Sequence, residues 1–275
     1  MGNPDLKNAE AWNYEVQTQL FGDNIGLFSI AAFYKDVKNM YHSINGVDIF
    51  SDTVFVWGER VARVDVVDKL GVDWRLYTNS FPFGSQAFTL TWPYNSSKPT
   101  RVWGFEIEHQ TDLRFLPGPL KNIVLNYNFT IVRSETWITT ASTVNIPNPP
   151  RPAKVIRSII ERKQKLEDQP EFFANAALGY DYEGFSLRLS FFYQGSYNRT
   201  FSSDQRGDGV TDSYTRWDVA IKQRITELLS VTVNVNNLTN TQEGTSIANR
   251  ITGWTLHDTD NKYGTAIDVG VRLEF

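Results

Sequence analysis

The acidic residues with the best case for metal chemistry lie between Asp204 and Asp212, where three aspartates and two glycines fall within nine residues. A calcium loop of the EF-hand type needs oxygen ligands at its first, third and fifth positions, followed by a glycine. Arg206 occupies the third position here and would place a cation where the ion needs an oxygen. We therefore predict a solvated turn over this stretch and no calcium site.

Histidine, cysteine and carboxylate patterns give no catalytic or metal-binding constellation. His42, His109 and His257 include no two residues at the spacing of a ligand pair, and cysteine is absent. Glu106 and Glu108 share a face of a predicted strand, but acids also recur on any polar strand face. No nucleophile with its base and no phosphate-binding glycine loop is present. The sequence therefore predicts that the protein is not an enzyme and holds no cofactor.

A basic stretch with interleaved isoleucines runs from residue 151 to residue 165. Its cations are Arg151, Lys154, Arg157, Arg162, Lys163 and Lys165. The pattern is compatible with a short amphipathic helix. Such a helix would contact anionic lipopolysaccharide or an anionic ligand, and the alternative is an ordinary solvated loop segment.

Aromatic side chains are concentrated in long segments between the predicted strands. The candidates for contact with a ligand are Trp57, Trp74, Tyr77, Trp92, Trp137 and Trp254. Exposed aromatic faces can stack on sugars or on aromatic chelators. The same side chains would equally serve to pack loops together or to extend an interfacial girdle that includes Trp12, Trp103 and Trp217.

Composition limits the class of protein that can position these residues. With 275 residues, 41% hydrophobic and 14% aromatic, the chain is expected to be ordered. Its formal charge of −4 argues against general nucleic-acid binding. No apolar run reaches the roughly 18 residues of a transmembrane helix. The first residues lack a basic segment followed by an apolar one, so no secretory signal is expected there.

The dominant hydrophobic period is two residues, which predicts strands. It is clearest from Trp103 to Phe115, where apolar or aromatic residues at most odd positions alternate with Glu106, Glu108 and other polar residues. Nine segments follow this pattern. They are residues 12–20, 27–37, 103–115, 123–131, 173–180, 185–193, 216–222, 231–236 and 267–275.

The connections between these strands alternate between short and long. Short turns at one rim and long loops at the other are typical of an outer-membrane β-barrel, whose strands cross the bilayer in about 9 to 11 residues. The polar strand faces would then line the lumen. The predicted lumen-facing and plug-facing residues are Glu106, Glu108, Asp112, Arg114, Arg216, Asp218 and Lys222.

A soluble β-sandwich is the alternative, since it also has two-sided strands. Sandwich strands average about five or six residues, and their loops have no reason to alternate in length. A membrane-spanning sheet must close on itself, and bacterial barrels close with an even number of strands. Nine strands cannot do so, which predicts that the chain is part of something larger.

An ordered series of motifs resembles the TonB-dependent receptor family. It begins with Gly2-Asn3-Pro4-Asp5-Leu6-Lys7, Trp12-Asn13-Tyr14-Glu15 and Phe33-Tyr34-Lys35-Asp36-Val37-Lys38. It continues with Gly104-Phe105-Glu106-Ile107-Glu108, Leu125-Asn126-Tyr127-Asn128-Phe129-Thr130, Trp217-Asp218-Val219-Ala220-Ile221 and Val235-Asn236-Asn237-Leu238-Thr239-Asn240. The final alternation, Ile267, Val269, Val271, Leu273 and Phe275, resembles the signal that the barrel-assembly machinery binds.

The resemblance implies an all-β, antiparallel transmembrane barrel segment with short periplasmic turns and long extracellular loops. Residues 1–275 would be the C-terminal part of a barrel of roughly 22 strands, without the plug domain and the N-terminal strands. The intact receptor would sit in the bacterial outer membrane, among lipid and lipopolysaccharide, with the plug and the TonB complex as partners. It would import a ferric chelate, a cobalamin-like cofactor or a glycan. The rivals are a passive outer-membrane pore or structural barrel, and a soluble sugar-binding β-sandwich.

Overall fold

A computed structural model of the chain describes residues 5–50, 87–147, 149–150, 154–202 and 205–274. These residues are almost entirely in antiparallel strands. In chain order the strands are β1 (Glu10–Gly22), β2 (Gly26–Lys38), β3 (Tyr41–Phe50), β4 (Ala87–Asn95), β5 (Thr100–Asp112), β6 (Ile123–Ile146), β7 (Lys154–Gln164), β8 (Phe172–Tyr182), β9 (Phe185–Gln194), β10 (Tyr197–Thr200), β11 (Asp208–Thr211), β12 (Tyr214–Arg224), β13 (Leu229–Asn236), β14 (Glu243–Ala248), β15 (Thr255–Asn261) and β16 (Ala266–Leu273).

The nine predicted strands are confirmed as one continuous sheet, which we call the wall. Its order is β1-β2-β5-β6-β8-β9-β12-β13-β16, so each strand pairs with its neighbours in the predicted series. Within the described residues, β1 and β16 each have a partner on one side only. The wall is therefore an open sheet in this chain.

Strand register aligns the alternating apolar positions of neighbouring strands on one face of the wall. Ile107 pairs with Ile30 on one side and with Phe129 on the other. The next residue, Glu108, pairs with Ser29 and Asn128 and points to the opposite face. Because side chains alternate along a strand, a slip of one residue between any two strands would mix the faces. The register therefore creates an apolar face and a polar face that extend over the whole wall.

The apolar face is not covered by another sheet. Val16 is 74% exposed and Val271 is 67% exposed. The buried hydrophobic side chains among the described residues are only Ala31, Tyr94, Val132, Tyr214 and Ala248. A β-sandwich would hide its apolar faces in a dry core, so the sandwich alternative is wrong.

One rim of the wall carries the short turns. The connection between β8 and β9 is Glu183-Gly184, and both residues have positive φ angles, of 44° and 88°. Such a two-residue turn fits the right-handed twist of a hairpin. β5 ends at Asp112 and not at Phe115 as predicted, because the Leu116 N–H turns back to the Leu113 carbonyl at 2.9 Å. Arg114 therefore lies in a turn.

The long connections at the other rim contain strands that the sequence did not reveal. β6 extends beyond β8 and pairs there with β7 over its whole length. The basic stretch therefore forms neither the amphipathic helix nor the loop segment considered from the sequence, because residues from Lys154 to Gln164 are a strand that pairs with the upper half of β6. Among the described residues, the one helical segment is a 3-10 turn at Gly118–Asn122. No described helix has the length and apolar character needed to cross a membrane.

Two further groups of strands extend the wall at the same rim. β3 and β4, which lie between β2 and β5 in chain order, pair antiparallel as a two-stranded sheet. β10, β11, β14 and β15 form a second sheet in this order. Each of them is next in the chain to one wall strand, namely β9, β12, β13 and β16 respectively, and these four wall strands are neighbours in the same order. We call this four-stranded sheet the upper sheet.

Introducing an arginine on each face of the wall in turn tests this assignment of faces. We expect Ile107→Arg to lower the free energy of unfolding by about 2–4 kcal/mol in lipid vesicles, because it places a cation in the hydrocarbon band. Glu108→Arg, one residue away on the polar face, should cost about 0.5 kcal/mol or less. Urea titration followed by tryptophan fluorescence measures both variants. Equal losses for the two variants would contradict the assignment of faces.

Candidate functional site

A cleft of about 870 Å³ opens at the long-loop rim, between the β7 strand and the upper sheet. Its lining mixes charged, amide and aromatic side chains, including Arg162 and Lys165 on one side and Asn198, Phe201 and Arg250 on the other. Contacts of this kind suit a polar ligand with an aromatic or a charged part.

An ion triad built on a buried carboxylate joins the two sides of the cleft. Asp208 at the start of β11 is fully buried, and the Arg162 guanidinium donates to both of its carboxylate oxygens, at 2.7 Å and 3.2 Å. Arg250 donates from Nε to the same carboxylate at 3.2 Å. The Ser202 backbone N–H and hydroxyl also donate to it, at 2.9 Å and 3.2 Å. One carboxylate therefore ties β7 to the upper sheet.

Electrostatics keep this carboxylate ionised. Burial alone would raise the pKa of Asp208, but the hydrogen bonds from Arg162, Ser202 and Arg250 outweigh it and hold the pKa below its ordinary value. Arg162 also lies over the Phe201 ring, with 5.1 Å between the guanidinium carbon and the ring centroid. This contact is in the range of a cation–π interaction.

The β3–β4 sheet is held against β6 by a second polar cluster. The Thr136 hydroxyl is 3.1 Å from His42 Nε2 and 2.6 Å from the Thr100 hydroxyl, and both threonines are buried. The Thr139 N–H donates to the Tyr94 hydroxyl. Burial lowers the pKa of the His42 imidazole. His42 is thus a packed side chain of this sheet.

The predicted lumen residues share the polar face of the wall, with one exception. The side chains of Glu106, Glu108 and Lys222 form no hydrogen bond or ion pair among the described residues. Asp218 accepts from Arg216 at 3.0 Å and from the Asn237 backbone N–H at 2.9 Å, so it also fixes the end of β13. The exception is Arg114, which lies in the short turn, is 83% exposed and pairs with Asp112 at 3.2 Å.

The predicted ligand-contacting aromatic residues are not assembled into one site. Trp57, Trp74 and Tyr77 lie outside the described residues, and of Trp92 only the backbone, in β4, is described. Trp137 lies beneath the Lys98 ammonium, 3.7 Å from the ring centroid. Trp254 is 48% exposed and accepts a backbone hydrogen bond from Asn249. Trp137 and Trp254 do not contact each other.

The residues predicted to form the assembly signal lie on β16, the strand at one edge of the wall. Ile267, Val269, Val271 and Leu273 alternate along β16 on the apolar face and pair with β13. Phe275 lies outside the described residues.

Sequence reasoning missed the ion triad. The stretch from Asp204 to Asp212 was expected to be a solvated turn, yet Asp208 is among the most buried side chains that the structure describes. Arg162 is 46 residues away in sequence, so no local pattern connects the two. Within the described residues, no group of three or more histidine, aspartate and glutamate side chains is placed to hold a metal ion.

Comparisons with known proteins agree with this architecture. The family model described as "TonB dependent receptor-like, beta-barrel" matches residues 1–238. No curated protein sequence matches the chain.

Three solved structures with the same fold have much longer chains. The siderophore receptor PirA from Acinetobacter baumannii is 17% identical, with a TM-score of 0.50, over 100% of this chain and 33% of its own. The copper transporter OprC is 12% identical, with a TM-score of 0.54, over 99% and 32%. The outer-membrane ferripyoverdine receptor of Pseudomonas aeruginosa, solved with ferripyoverdine, is 15% identical, with a TM-score of 0.52, over 98% and 28%. The chain thus spans about a third or less of their length.

Removing the central charge of the triad should release β7 from the upper sheet. We expect Asp208→Asn to speed amide exchange across β7 and β11 by about 100-fold, because two guanidinium groups lose their buried counter-charge. Hydrogen–deuterium exchange with mass spectrometry measures this change. Asp258→Asn, at an exposed acid of β15, should leave β7 exchange unaltered. Unchanged exchange in both variants would show that the triad does not hold the cleft together.

Acid should open the same contact. Since the folded pKa of Asp208 is depressed, the triad's stabilisation is complete above the ordinary carboxyl pKa of about 4 and is lost as the pH falls through the lower folded value. Spin labels at Glu167 and Thr252 would report a longer inter-label distance at low pH. The Asp208→Asn variant should give the longer distance at every pH. A distance independent of pH in the wild type would contradict the role of this carboxylate.

Proposed function

Because the chain belongs to the TonB-dependent receptor family, whose β-barrel model matches most of its length, we propose that it forms part of the wall of a receptor that imports a scarce nutrient across the outer membrane. Proteins of this family lie in the outer membrane of Gram-negative bacteria. The observation that supports this proposal is the wall, a sheet with an exposed apolar face and an opposite polar face. Import would be driven through TonB, and no step of it is catalytic.

The polar face of the wall supports a contact with a plug domain. The side chains of Glu106, Glu108 and Lys222 form no hydrogen bond among the described residues, so the two carboxylates can accept from another domain inside the barrel and the ammonium can donate to it. Asp218 and Arg216 are already paired with each other. We therefore assign the plug contact mainly to the unpaired side chains, with Asp112 and Arg114 at the periplasmic rim.

The cleft above the wall supports a share in the ligand vestibule. Its charged and aromatic lining can accept ferric chelates, cobalamin-like cofactors or glycans, and these are the proposed cargo classes. PirA and the ferripyoverdine receptor bind siderophores and OprC carries copper, according to their descriptions. At such low sequence identity, the similarity to these structures shows only a common fold. The cargo must therefore be determined by experiment.

The remaining proposed partners act on the outer surface and on assembly. Lipid and lipopolysaccharide would surround the apolar face, and the barrel-assembly machinery would bind the β16 strand with its alternating Ile267, Val269, Val271 and Leu273. We propose that residues 1–275 occupy the C-terminal end of the barrel. The plug and the TonB-contacting segment would belong to the remaining part of the receptor.

Energy coupling distinguishes this proposal from a passive pore. We expect the receptor that contains this chain to support uptake of radiolabelled cargo in an iron-starved host with TonB and to lose it in a matched host without TonB. Ferric catecholates, ferric hydroxamates, cobalamin and a labelled oligosaccharide are tested in parallel. A general porin in the same hosts is the control for diffusion. Equal uptake with and without TonB would contradict the proposal and favour the passive pore.

A further inference from the structure

A single carboxamide holds both ends of the β14–β15 hairpin, which comprises residues 243–261. Asn237, the residue after β13, is buried, and its side-chain Nδ2 donates to the Thr241 carbonyl at 3.0 Å and to the Gly264 carbonyl at 3.1 Å. Its Oδ1 accepts from the Thr241 N–H at 2.8 Å. Thr241 comes shortly before β14 and Gly264 comes shortly after β15. The two ends of the hairpin therefore meet at one side chain.

The backbone of Asn237 is bound to the wall. Its N–H donates to Asp218 Oδ1 at 2.9 Å, and its carbonyl accepts from the Thr265 hydroxyl at 2.9 Å. Asp218 lies on the polar face of β12, and Thr265 comes directly before β16. Asn237 thus joins β12, β13 and β16 of the wall to the hairpin above them.

These contacts explain why an asparagine occupies this position. The side chain must donate twice and accept once, and a carboxamide does both, whereas a carboxylate cannot donate. The φ angle of Asn237 is 54°, in the left-handed region that asparagine adopts more readily than most residues. Both the side chain and the backbone conformation are therefore specific to this residue type.

The hairpin held in this way carries one side of the cleft. Ala248 at the end of β14, Arg250 in the connection and Thr255 at the start of β15 all line it. Arg250 also donates to the buried Asp208 carboxylate. Because two paired strands move as a unit, the position of the base of the hairpin affects the position of its tip. Asn237 fixes the base, and the ion triad holds the tip.

We propose that Asn237 is a positioning residue for the ligand vestibule. Its carboxamide fixes the β14–β15 hairpin on the wall and so sets the geometry of the cleft in which cargo binds. Asn237 does not line the cleft, so it acts through the hairpin and contacts no cargo. This role rests on the proposed function, in which the cleft is part of the vestibule.

A matched pair of glycine variants tests the role of the carboxamide. Asn240 also has a positive φ, of 50°, but its side chain is exposed. Since glycine accepts both backbone conformations, Asn237→Gly and Asn240→Gly each remove a carboxamide without backbone strain. The receptor that contains this chain is studied by hydrogen–deuterium exchange with mass spectrometry.

We expect Asn237→Gly to speed amide exchange at the base of the hairpin, in residues 241–245 and 259–265, by about 30-fold, because the side-chain hydrogen bonds to Thr241 and Gly264 are lost. Exchange in β12 and β13 should stay within about twofold of the wild type, since their ladder is intact. Asn240→Gly should alter neither region.

Uptake distinguishes positioning from a general structural role. The probe is the cargo that the wild-type receptor imports in the comparison of hosts with and without TonB. We expect Asn237→Gly to raise the half-saturating concentration about tenfold and to leave the maximal rate unchanged, because cargo binding is weakened while coupling is intact. Asn240→Gly should change neither value.

Four results would overturn the role of Asn237. They are unchanged hairpin exchange in Asn237→Gly, an equal effect of Asn240→Gly, an equal increase in β12 and β13, and faster hairpin exchange with an unchanged half-saturating concentration. The exchange measurement needs no cargo. Failure of Asn237 to hold the hairpin can therefore be distinguished from failure of the receptor to import.

Discussion

Pairing of backbone groups determines everything else in this chain. A strand that crosses hydrocarbon has no water to satisfy its N–H and C=O groups, so each must bond to a neighbouring strand. Continuous pairing fixes the register, and register fixes which side chains share a face. The agreement between Ile30, Ile107 and Phe129 across three strands is a direct result of this constraint. The exposed apolar face follows from it, because the surrounding hydrocarbon takes the place of a packed core.

The constraint is relaxed beyond the membrane, and the stabilising interactions change accordingly. Above the wall the same strands continue into hairpins and into the upper sheet, but water is available to unpaired backbone groups. Side-chain contacts then hold the pieces together. A buried charge can persist there only when it is paired and hydrogen-bonded, as Asp208 is by Arg162, Arg250 and Ser202. The cleft is thus built from long-range ionic contacts on a scaffold of local strand pairs.

This difference explains how much could be predicted from the sequence. The nine wall strands were predictable because each face of a strand lies in one uniform environment, and this produces a hydrophobic period of two in the sequence. β7 was not predictable as a strand, because its cations and isoleucines follow no period of two; the stretch was equally compatible with a short helix or a loop segment. The ion triad was not predictable, since Asp208 and Arg162 are distant in sequence and each resembles a solvated residue. For the same reason the sequence showed aromatic candidates such as Trp137 without showing which surface they occupy.

The meaning of a charge in this protein depends on the face that carries it. Arg216 and Arg133 are the same residue type, and each pairs with an acid, yet one lies on the polar face of the wall and the other beside Trp103 on the outward face. Composition cannot separate them, and neither can the local pattern around Arg133, where the apolar alternation is ending. Register separates them, because counting from Trp103 through its partner strand assigns the side chain to the surface that meets lipid. Arg133 therefore belongs to the outward surface, whereas Arg162, Lys163 and Lys165 of the basic stretch line the cleft.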